Sequence, residues 1–141
     1  STHMTVKYTG IDGLTIGAGM GEDNGEGPAD ADDVTAFNVT YAMDAISVGF
    51  SSFEVDSNAA NSDTTLTAIG ISYAVSDDLS VSLNSAETEI EGLKDQEATG
   101  ISASLVIGSM TLKANHNSVE NVGGTSGKDR SGYAMGLSFA F

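Results

Sequence analysis

The sequence predicts an all-β fold, an antiparallel up-and-down transmembrane β-barrel with about nine strands present. Three observations predict it. Large apolar residues recur at every second position with small or polar residues between them, as in "GYAMGLSFAF" at the end of the chain, which is the period of a strand with two unlike faces. Short and long gaps between these segments alternate strictly. Charge is almost absent from mid-strand positions on either face, whereas a soluble barrel would place it on its outer surface.

The strands read as residues 3–9, 13–20, 34–43, 45–55, 64–75, 79–88, 98–107, 110–119 and 132–141. Their apolar sets begin with Met4, Val6, Tyr8, then Leu14, Ile16, Ala18, Met20, then Phe37, Val39, Tyr41, Met43, then Ile46, Val48, Phe50. They continue through Ile69, Ile71, Tyr73, Val75, then Leu79, Val81, Leu83, then Ile101, Ala103, Leu105, Ile107, then Met110, Leu112, Ala114. Phe50 and Phe53 break the phase, so a bulge or a change of environment is expected there. Tight turns are expected at Asp12-Gly13, Asp44, Asp77-Asp78 and Gly108-Ser109, spaced 32, 33 and 31 residues apart. Short polar side chains and glycine suit such links. The other gaps, "GEDNGEGPADADD", "DSNAANSD", "EIEGLKDQE" and "ENVGGTSGKDRS", are long and acidic. All tight turns therefore fall at one end of the sheet and all long loops at the other.

The balance of 20 acidic against 5 basic residues gives a net charge of -15. That excludes direct nucleic-acid binding, which needs Lys and Arg against phosphates. Divalent cations or cationic solutes are its natural partners. Without cysteine there is no disulfide framework or thiolate metal site. No stretch approaches the ~18 apolar residues of a spanning helix. No secretory signal opens the chain, which reads as a single domain over residues 1–141, or the C-terminal part of one, with residues 1–4 as a candidate cloning remnant.

The segment "VKYTGIDGLTIGAGM", the units "VTYAMDAISVGF" and "ISYAVSDDLSVSL", and the final "GYAMGLSFAF" resemble the C-terminal half of a Gram-negative outer-membrane general diffusion porin. The resemblance implies a piece of a sixteen-stranded barrel that forms a water-filled channel for passive diffusion of small hydrophilic solutes or ions. It also implies residence in the bacterial outer membrane, contact with its lipid and assembly as a homotrimer. Phe139 and Phe141 resemble the C-terminal signal read by the barrel-assembly machinery. Net charge suggests cation preference. Nine strands cannot close in the usual even-numbered barrel, so the alternatives are a missing set of strands or an eight-stranded barrel in which residues 1–9 are a stub and the strand near 13–20 pairs with the last. The functional alternative is a structural or adhesive β-rich surface protein without channel activity.

Alternation turns Lys7, Asn38, Asn84, Lys113, Asn115 and Asn117 inward as pore-lining candidates. Tyr8, Tyr41, Tyr73 and Tyr133 point outward as candidates for the interfacial aromatic girdles. Asp30, Asp32 and Asp33 are the candidates for a loop-bound divalent cation, although the spaced pattern of a calcium loop is lacking. Gly17, Gly19 and Gly21 meet no nucleotide motif, since no helix and no Lys-Ser or Lys-Thr pair follows. His116, expected near a strand end, has no nucleophile motif beside it. No enzyme activity and no bound cofactor is expected.

Overall fold

The computed structural model describes residues 2–24, 31–57 and 62–140. Nine strands form one sheet: β1 (Thr2–Ile11), β2 (Leu14–Asn24), β3 (Ala31–Met43), β4 (Ile46–Asp56), β5 (Thr64–Ala74), β6 (Leu79–Ile90), β7 (Gln96–Ile107), β8 (Met110–Glu120) and β9 (Arg130–Phe139). Their spatial order is their chain order, and every neighbouring pair is antiparallel. A single 3-10 turn at Val122–Gly124 interrupts the last long loop.

Turn chemistry explains the tight end. Gly13 and Gly108 adopt left-handed backbone (φ 72° and 60°), and Asp44 does so at φ 49°, a region open to Gly and, among other residues, most often to Asn and Asp. The link between β5 and β6 is looser than expected. Val75 leaves the strand, and the amides of Val75 and Ser76 both donate to the Leu79 carbonyl at 2.8 and 3.1 Å. The Ser76 hydroxyl accepts from the Asp78 and Leu79 amides at 3.3 and 3.1 Å.

At the other end the strands outrun the expected boundaries. β6 continues to Ile90 and β7 begins at Gln96, because ladder hydrogen bonds join backbone groups and need no apolar side chain to continue. For the same reason Arg130, expected in a loop, opens β9. His116 lies well inside β8, opposite Ile101 and Tyr133, rather than near a strand end. The phase change in β4 needs no bulge. Phe50 pairs with Ile69 and Phe53 with Leu66 in uninterrupted register, so Phe53 is on the polar face.

Directly opposed residues of an antiparallel pair share a face, so register sorts all nine strands into one apolar and one polar face. No hydrophobic side chain among the described residues is buried, and Ile69, Leu83, Ile101 and Ile107 remain 52–60% exposed. The isoleucines at 69, 71 and 107 and Leu105 form no closed core. A one-layer sheet leaves its apolar face to be covered by something other than protein core, and hydrocarbon is the medium that suits it.

The apolar face is oblique to the hydrogen-bonded rows. Following direct pairs from Val6, the middle of its stripe on β1, leads through Ala18, Phe37, Ser52, Thr67, Glu87 and Glu97 to Glu120 on β8. The middle of the stripe on β8 is Leu112, eight residues from Glu120 after seven strand-to-strand steps. At ~3.3 Å per residue and ~4.8 Å per strand, the apolar band is level only if the strands tilt by about 38°. That tilt lies inside the range of membrane barrels.

The sheet is open. β9 pairs with β8 and β1 with β2, but β1 and β9 do not pair. The self-closed eight-stranded alternative is not what forms, because β2 is flanked by β1 and β3 and residues 2–11 are a strand rather than a stub.

Candidate functional site

The polar face is built from rows of small and amide side chains. One row runs Thr40, Gly49, Gly70, Asn84, Gly100, Asn117, Gly132 in direct register across β3 to β9. The next runs Ala42, Ser47, Ser72, Ser82, Ser102, Asn115, Ala134. Ser82 and Ser102 share a hydrogen bond of 2.6 Å, and the Asn117 amide donates to Asn115 Oδ1 at 3.3 Å. Gly100 is covered by the amides of Asn84 and Asn117, each with its Oδ1 2.6 Å from where a Cβ would stand. A side chain at this position would push both amide ends aside.

All six residues expected to face inward share this face: Lys7 opposite Gly17, Asn38 opposite Gly17 and Ser51, Asn84 opposite Gly70 and Gly100, Lys113 opposite Ser104 and Gly136, and Asn115 and Asn117 on β8. Sequence reasoning passed over the Ser82–Ser102 pair, although the alternation of serines in "LSVSL" and "ISASL" already assigns both to one face. It also passed over an apolar group on the polar face near the long loops, where Phe53 faces Ala36 and Leu66 and Val34 faces Val55.

The opposite face bears the tyrosines. Tyr8, Tyr41 and Tyr73 lie toward the tight turns, opposite Ile16, Leu14 and Ile46. Tyr133, 84% exposed, lies toward the long loops beside His116. Phe139 pairs with Met110 next to a tight turn, while Phe141 lies outside the described residues. Phe37 and Phe50 meet at 6.4 Å between ring centroids and 57° between planes. A concavity of about 790 Å³ on this face, lined by Phe50, Ile69, Leu83 and Ile101 among others, is a seam between side-chain rows. Ser85, Thr99, His116 and Ser118 also line it, but its wall is mostly apolar.

Above the apolar stripe, at the long-loop end of the same face, eight carboxylates gather, and among the described residues no Lys or Arg shares that face. Glu22, Asp33 and Asp56 form one direct row, and Glu87, Glu97 and Glu120 another. Of the candidate cation ligands, Asp30 lies outside the described residues. Asp32 and Asp33 are consecutive in β3 and point to opposite faces, and the Asp32 carboxylate accepts from Ser57 Oγ at 2.9 Å. Among the described residues no three His, Cys, Asp or Glu side chains converge as a metal site.

A family model described as Gram-negative porin matches residues 1–94. The chain belongs to the Gram-negative porin family. No curated protein and no solved structure matches it. The match ends before β7, yet β7, β8 and β9 continue the same register, the same two faces and the same alternation of tight turns and loops as the matched part of this porin. The family is one of bacterial outer-membrane channels.

Proposed function

We propose that this porin forms a water-filled channel for passive diffusion of small hydrophilic solutes, with Lys7, Asn38, Asn84, Lys113, Asn115 and Asn117 on its wall. The observation that supports this most directly is the polar face of small, hydroxyl and amide side chains that continues across nine strands of a family member. Such a wall offers hydroxyl and amide groups in place of water and no deep binding site to detain a solute. The tyrosines and Phe139 form interfacial anchors, and the C-terminal aromatics serve as the assembly signal. The barrel works as a homotrimer.

In lipid every backbone group must be paired, so the free edges of β1 and β9 need partners. Both strands run in the same direction, because eight antiparallel steps separate them. Antiparallel closure then requires an odd number of further strands, as in the reading of β1 to β9 as strands eight to sixteen. The acidic long-loop end raises the local concentration of cations at the mouth at low salt. Single-channel recording of the full-length protein in planar bilayers tests the proposal: stable, ohmic steps at millivolt potentials are expected. A folded, membrane-inserted protein with no conductance would leave only a structural or adhesive role.

A further inference from the structure

The net charge of -15 conceals a reversal of sign with depth. Lys7 lies between Val6 and Tyr8, and Lys113 between Leu112 and Ala114, so both stand on the polar face at the middle of the apolar stripe on the opposite face. By the height of that stripe they sit near the mid-depth of the band. Around Lys113 the polar-face neighbours are Ser102, Ser104, Asn115, Ala134, Gly136 and Ser138. Around Lys7 they are Thr5, Thr9, Thr15, Gly17 and Gly19. None is acidic, and neither lysine forms an ion pair with a described residue. Glycine directly opposite each of them, Gly17 and Gly136, leaves the ammonium unscreened from that side. The acids lie elsewhere, in the tight turns, in the long loops and at the long-loop ends of strands. Most of those in strands are on the lipid-facing side.

We infer that the channel wall is cationic at mid-depth beneath an acidic mouth, and that Lys7 and Lys113 set a preference for small anionic solutes such as inorganic phosphate or short carboxylates at that level. This departs from the expectation drawn from net charge alone, which averages carboxylates that face lipid or bulk water with the few charges that face a passing solute. The inference rests on the porin reading above. Ring or wall charges at a narrow level act on each ion at close range, whereas charges at the mouth act through solution and are screened by salt.

The test is the reversal potential of the full-length protein in planar bilayers under a KCl gradient, for wild type, Lys7→Gln/Lys113→Gln and Lys7→Glu/Lys113→Glu. The ratio of chloride to potassium permeability should fall in the Gln pair and fall several-fold further in the Glu pair. In liposome flux assays, the ratio of inorganic-phosphate flux to uncharged-sugar flux should fall in the Gln pair. The Gln side chains keep length and polarity, so should the Glu pair fail to fold, the Gln pair decides alone. Channels of normal conductance with an unshifted reversal potential and phosphate flux would overturn the inference and leave the porin reading standing. Absence of any channel from correctly inserted wild type would remove that reading and the inference with it.

Discussion

Leu105 and Leu112 stand directly opposite one another across the hairpin of β7 and β8, and Leu79 and Leu137 extend the row on either side. Four leucines in one hydrogen-bonded row have no protein layer above them. Leu105→Arg should therefore cost roughly 2–4 kcal/mol when the protein folds into a bilayer. Ser72→Arg, at mid-strand on the other face opposite Ser47 and Ser82, should be nearly neutral. Folding titrations into vesicles compare the two, and equal costs would show that the faces are not lipid and water.

The row Glu87, Glu97, Glu120 sets three like charges side by side, an arrangement that costs stability in sheets. Glu97→Lys turns two repulsive contacts into attractive ones and should stabilise the barrel by about 0.2–1 kcal/mol per contact at low salt. The gain should shrink as salt rises toward 1 M. Urea midpoints at two ionic strengths check it, and a salt-independent gain would point to packing instead.

Two long loops are tied together through Asn121. Its side-chain Nδ2 donates to the Asp95 carbonyl at 3.0 Å, its Oδ1 accepts from the Gly127 amide at 3.1 Å, and its backbone is left-handed at φ 51°. Gly124, at φ 71°, has Leu93 side-chain carbon 2.7 Å from a would-be Cβ. Gly124→Ala should therefore free residues 91–95 from residues 121–129. Hydrogen exchange of the Lys94 amide, which donates to the Gly124 carbonyl at 3.2 Å, should accelerate while the strand amides stay protected.

Removing Phe141 tests the assembly-signal reading. Burying one phenylalanine ring contributes only about 1.5–3 kcal/mol, so folding of the purified protein into lipid should weaken slightly while insertion in cells falls steeply. Equal losses in both assays would make the residue structural only.

Much of this was legible in the sequence, because a period of two and a rotation of turn lengths are local signals. Nine strands, their order and the faces of Lys7, Asn84 and Asn117 follow from counting residues between Gly13, Asp44 and Gly108. What counting cannot supply is pairing. The height of Glu120 relative to Val6, the burial of Gly100 under two amides and the docking of Asn121 on Asp95 join residues distant in sequence through register. Phe53 was ambiguous for a related reason: its neighbours on β4 do not reveal that Ala36 and Leu66 flank it on the polar face.

The two-residue turn at Gly108 and Ser109 works as a reading frame does in a gene. One residue inserted there would send every later side chain to the wrong side, placing Lys113 and Asn115 in hydrocarbon and Leu112 and Leu137 in water. Two inserted residues would restore the faces but displace the rest of the wall by about 7 Å along the strand. Insertions in the long loops would leave the frame intact, because no tight hairpin there fixes the count. Variation in length within this family should therefore accumulate at one end of the barrel, away from the turns that keep count.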